Sequence, residues 1–95
     1  MSVLNFTQAG NVYESEPVQF SKDTVLELNF ENIPKQTGVT ISIQQSLTKK
    51  GWQTCYTDTL RYGKTWCKTL QCVSENAWYK VVTTTNPDNS QADYE

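Results

Sequence analysis

Apolar and polar residues alternate with a period of two through most of this chain, and that period predicts strands. Val39, Ile41 and Ile43 fall on one side while Thr40, Ser42 and Gln44 fall on the other, as successive side chains of a β-strand must. Leu26, Leu28 and Phe30 alternate in the same way with Glu27 and Asn29, which predicts a half-buried strand with one wet face. Further strands are predicted over residues 4–8, 12–20, 52–57, 65–70 and 78–85. Pro17 interrupts the second of these and marks it as an edge or bulged strand, because proline has no N–H for a ladder. The breaks between strands carry Gly, Pro, Asn, Asp or Ser, the residues that turn a chain. No window repeats apolar residues every 3.6 positions between capping residues, so little helix is expected. The expected fold is all-β, an antiparallel β-sandwich of about seven to eight strands, jelly-roll or immunoglobulin-like. Spacing alone does not choose the strand order.

At 95 residues the chain has the size of one small domain, and folding would bury only about 60–65% of its unfolded surface. Residues 1–86 read as that domain. Residues 87–95 read as a polar C-terminal arm, because the segment has too little apolar area to fold alone.

Charge narrows the partners. The net charge is -2 and the pI about 5.0, with no basic block, so no nucleic-acid footprint is expected. No apolar run reaches membrane-spanning length. The stretch Met1 to Phe6 has neither a basic region nor a continuous apolar core, and synthesis in a cytoplasm without a signal peptide is the expectation. Lys49-Lys50-Gly51 reads as a solvated hairpin turn.

Candidate chemistry is sparse. The chain has no histidine, which removes Ser-His and Cys-His catalysis. Glu14 and Glu16 share one strand face, but polar neighbours make a solvated edge the better reading than an acid–base pair. Asp23, Asp58 and Asp88 sit at turn positions, where aspartate bonds its own backbone. No catalytic residue and no enzyme activity are expected. Cys55, Cys67 and Cys72 show no CxxC spacing, so no metal or other cofactor is expected either. A turn near Arg61 would set Cys55 opposite Cys67 on adjacent strands, making them a candidate disulfide. The reading favoured by a cytoplasmic origin is three reduced thiols acting as small apolar fillers.

The aromatic residues support two readings. Trp52, Trp66 and Trp78 recur once per strand. Such large rings fill a small core or an interface, or form an exposed row that stacks on sugars. Tyr56, Tyr62, Tyr79 and Tyr94 are the candidates for partner or glycan contacts, because amphipathic tyrosine is common at interfaces.

The string Ile41-Ser42-Ile43-Gln44-Gln45-Ser46-Leu47, followed by the Lys-Lys-Gly turn and Trp52, resembles small β-sandwich structural proteins of bacteriophage particles, as does Ala77 through Pro87. The similarity points to phages of gut Bacteroidetes, including the crAss-like group, whose sandwiches decorate heads or build tails and fibres. It implies a non-enzymatic capsid decoration (head auxiliary) protein, made in the host cytoplasm and located in the virion. Its partners would be capsid or other virion structural proteins. The alternatives are a tail or fibre adaptor, a carbohydrate-binding module for attachment to host surface glycans, and an immunoglobulin-like domain of a longer protein.

Overall fold

Strands form where the alternation of side chains demands them, and pairing then places their apolar faces together. The structure, a computed structural model, describes residues 2–20, 24–30, 38–61, 64–70, 76–85, 87 and 89–93. These form β1 (Ser2–Val3), β2 (Phe6–Ala9), β3 (Val12–Ser15), β4 (Val25–Asn29), β5 (Val39–Ser46), β6 (Gln53–Leu60), β7 (Thr65–Thr69), β8 (Trp78–Thr83) and β9 (Asn89–Asp93). No helix occurs among the described residues. The fold is all-β, built from two antiparallel sheets. One has the order β1-β9-β4-β7 and the other β2-β3-β8-β5-β6.

Several strands pair as a nested series. β5 pairs with β6 across the turn at residues 47–52, and outside that pair β4 meets β7, β3 meets β8, and β1 meets β9. Contacts of β5 with β8 and of β4 with β9 join these pairs into the two sheets.

A single core lies between the sheets. Leu26, Leu28, Phe30 and Trp66 from one side meet Val39, Ile41, Ile43, Tyr79 and Val81 from the other, with Leu4, Phe20, Leu70 and Ala77 completing the cluster. Full burial of a Val, Leu, Ile or Phe side chain contributes about 1.5–3 kcal/mol, so this cluster is the main source of stability. The ring of Phe20 stacks on that of Tyr79 with centroids 5.5 Å apart, close to the spacing aromatic pairs prefer.

Three features differ from the sequence reading. The strand predicted over residues 4–8 is β2, which begins only at Phe6, and a short additional strand, β1, precedes it in the other sheet, with the buried Leu4 between them. The predicted hairpin between residues 57 and 65 is a crossover instead, because β6 pairs with β5 and β7 with β4. Residues 89–93, within the segment read as an arm, form β9 and pair with both β1 and β4. A polar strand can hold an interior place because backbone groups supply the ladder whatever the side chains are.

Pro17 sits just past the end of the β2–β3 ladder. That ladder closes at Phe6↔Ser15, and the Glu16 amide then donates to the Asn5 carbonyl at 3.3 Å. The buried Ser15 hydroxyl accepts the Val81 amide at 2.8 Å, and Val18 rejoins β8 through a two-way backbone pair with Tyr79.

Gly38 opens β5 at a φ of 69°, where a Cβ would lie 2.5 Å from the Leu60 carbonyl oxygen. Gly38→Ala should therefore destabilise by about 1–3 kcal/mol through backbone strain and by more through the clash. Gly10 has a φ of 65° but open space around it, so Gly10→Ala should show the smaller loss in urea unfolding. Equal losses at the two sites would refute the clash.

Candidate functional site

The edges of the sheets limit how this molecule meets others. β6 and β7 are edge strands of different sheets, and exposed edges invite pairing with other chains unless something blunts them. Here both carry a charge on the inward-facing row. Asp58 shares its row with Tyr56 and Leu60, and Lys68 shares its row with Trp66 and Leu70. β6 also bulges, since Ile43 opposes Tyr56 while Gln44 opposes Thr54, leaving Cys55 as the extra residue. Inward charges and bulges both disfavour addition of another strand.

The two charges also clasp the sheets together. The Trp66 indole N–H donates to Asp58 Oδ2 at 2.9 Å, and the Thr59 amide donates to Asp58 Oδ1 at 2.8 Å. Lys68 Nζ lies 5.1 Å from the Tyr56 ring centroid. The indole bond, the Thr59 amide and the Lys68 charge, in that order, hold the Asp58 carboxyl below its usual range, against partial burial, which acts the other way.

With these edges blunted, the outer face of the five-stranded sheet is the most distinctive surface. Tyr79, Val81 and Thr83 of β8 point into the core, so Trp78, Lys80 and Val82 point out. Register places Trp78 opposite Ser46 and Lys80 opposite Gln44 of β5. On the far side of β5, Gln45 faces Gln53, so Trp52 flanks Ser46 from the other direction. Both indoles are half-buried. Lys80 Nζ sits 4.9 Å from the Trp52 ring centroid and 3.1 Å from Glu14 Oε1. Lys49 Nζ lies 3.8 Å from the Trp78 centroid. Thr40, Ser42, Gln44, Thr54, Thr57 and Thr59 form the part of the face contributed by β5 and β6.

The Lys49 end is set by the turn that the sequence predicts. Ser46 Oγ accepts amides from Thr48 and Lys50 at 3.2 and 3.0 Å and donates to the Lys50 carbonyl. Lys49 and Gly51 both take φ values of 64°, a conformation that glycine adopts without steric cost. Leu47 projects from this turn with 70% of its surface exposed. Beside it an open groove of about 380 Å³ runs along Gln45, Ser46, Gln53 and Thr54.

The residues singled out from sequence are distributed differently. Tyr79, expected at the surface, is 1% exposed and is corrected to a core residue, since it shares the inward row with Val81. Tyr56 packs partly against the core. Tyr62, Tyr94 and Cys72 lie outside the described residues. Cys55 and Cys67 are both exposed, and no disulfide joins them: Cys67 stands on the outward row of β7, next to inward Trp66, and Cys55 at the bulge of β6 in the other sheet. Cys55 Sγ donates to the Ile43 carbonyl at 3.3 Å. Glu14 and Glu16 have separate partners, Lys80 and the Asn5 amide, and do not face each other as an acid–base pair. Trp66 is 5% exposed and belongs to the core, as read from sequence. Trp52 and Trp78 stand on the outer face, as in the exposed-row reading, but Trp66 does not join them, and no local spacing separates the three.

The chain matches no known family model, no curated protein and no solved structure.

Proposed function

We propose that this chain is a non-enzymatic structural protein of a bacteriophage particle, a decoration protein that binds and stabilises the shell. Three kinds of observation support the reading. The nested pairing of β1 with β9, β3 with β8, β4 with β7 and β5 with β6 is the order expected of a jelly-roll sandwich rather than an immunoglobulin-like one. Jelly rolls recur in viral capsid and lectin domains, though a fold alone does not assign a function.

The observation that carries the proposal is the blunting of β6 and β7. A protein crowded on one surface at high local concentration must not polymerise edge to edge. Inward charges at Asp58 and Lys68 and the bulge at Cys55 serve that requirement at the two edges formed by β6 and β7. The resemblance of residues 41–52 and 77–87 to phage β-sandwich proteins agrees with it, and such a protein would be made in the host cytoplasm and incorporated into virions.

The test is quantitative mass spectrometry of purified particles. Copies in the hundreds per particle are expected for a shell decoration protein. A few copies would move the role to a tail or fibre adaptor, and absence from particles would overturn the structural reading.

A further inference from the structure

We propose that the outer face of the five-stranded sheet, at its Trp52–Trp78 end, binds an acidic polysaccharide of the uronate type. This goes beyond a structural role and does not depend on where in a particle the protein sits.

The first support is the spacing of the rings. Trp78 and Trp52 flank Ser46 from opposite sides of β5, a separation of about two strand spacings, or roughly 10 Å. That span suits several linked sugars rather than one. Indole rings offer flat apolar surface with a polar edge, which complements the C–H face of a pyranose.

The second support is the floor between and beside the rings. Ser42, Gln44, Thr54 and Thr57 supply hydroxyl and amide groups that both donate and accept. The buried centre of a protein–protein contact is more apolar than this, whereas sugar hydroxyls need such groups. A polar floor between aromatic rings therefore favours a glycan over a second protein.

The third support is charge. Lys49 and Lys80 lie over the rings and Lys50 adjoins them in the turn, against the two carboxylates of the β3 face, Glu14 and Glu16, the second of which accepts the Asn5 amide. Glu14 neutralises Lys80, the ion pair found among the described residues. Lys49 is exposed and covers the Trp78 ring at 3.8 Å. A sugar ring can take its place on the indole while its ammonium turns to the sugar carboxylate. An acidic glycan thereby satisfies both ring and cation, and a neutral glycan satisfies only the ring.

The experiment titrates the full chain with polygalacturonate, dextran and polyglutamate, following tryptophan emission and retardation in affinity electrophoresis. Polygalacturonate should shift the emission and retard the protein, dextran should act at least tenfold more weakly, and polyglutamate should do neither. Trp52→Ala and Trp78→Ala should each weaken polygalacturonate binding at least tenfold while staying folded and losing far less stability than a core substitution, because both rings point away from the core. Lys49→Gln should erase the preference over dextran. No response to polygalacturonate would overturn the proposal, and equal retardation by polyglutamate would do so by reducing the site to bare charge. Loss of particle attachment in the two tryptophan variants, with no glycan binding by the parent, would reassign the face to a shell contact.

Discussion

Tyr79→Ala should destabilise the domain by about 3–5 kcal/mol, the range for removing a large aromatic side chain from a packed core. Tyr79 is 1% exposed, stacks on Phe20 at 5.5 Å and shares the inward row of β8 with Val81. Small domains have total stabilities of about 5–15 kcal/mol, so this one change removes a large share. Trp78→Ala, at the neighbouring position of the same strand, deletes a larger ring and should lose far less, because Trp78 stands on the outer face over β5. Urea unfolding of both variants checks the assignment. A Trp78→Ala loss equal to that of Tyr79→Ala would reverse the faces of β8 and remove the basis for the proposed binding surface.

Asp58→Ala should destabilise by about 1.5–3 kcal/mol, the range for a hydrogen bond to a charged group. It strips the Trp66 indole N–H of its acceptor between the two sheets. The effect should depend on pH in a defined direction. The Asp58 carboxyl titrates lower in the folded chain than its ordinary value of 3.8, so its charged form stabilises the fold. That contribution is complete above the unfolded-state value and fades as pH falls through the folded-state value. Asp58→Asn keeps an acceptor oxygen but not the charge. The parent should therefore exceed Asp58→Asn in stability at neutral pH and lose that advantage in acid. A pH-independent difference between the two would show that the carboxylate charge plays no part.

The faces of β4 and β5 are legible in the sequence because aliphatic and polar residues alternate there without aromatics that suit either face. β4 and β5 alternate cleanly, with Leu26, Leu28, Val39, Ile41 and Ile43 buried as expected. The difficulty lay in two strands with the same local pattern. Trp66-Cys67-Lys68 and Trp78-Tyr79-Lys80 both place lysine two positions after tryptophan, yet Trp66 is buried and Trp78 is half-exposed. At the sheet edge Lys68 keeps its ammonium in water while sharing a row with core residues, so lysine there does not mark the outer face. In the interior strand β8, Lys80 does mark it. Whether a strand is an edge depends on long-range pairing, which local alternation does not encode. The Cys55–Cys67 proposal failed for the same reason, since a short connection between two strands looked like a hairpin and was a passage between sheets. The tail carries no apolar alternation, and the pairing of β9 with β1 and β4 is long-range.

The nested pairing also ranks the contacts by the length of chain each must close. Gln45 meets Gln53 across a short turn, whereas Val3 meets Gln91 only after almost the whole chain has been gathered in. Closure entropy rises only logarithmically, by about 0.6 kcal/mol for each doubling of a flexible loop. The outermost pair is therefore penalised modestly once the inner pairs stand, since they have already shortened the free chain between its ends. The 47–52 turn is the point from which that shortening begins. The ordering of this one turn by the Ser46 hydroxyl thus lowers the entropic barrier to every pairing outside it.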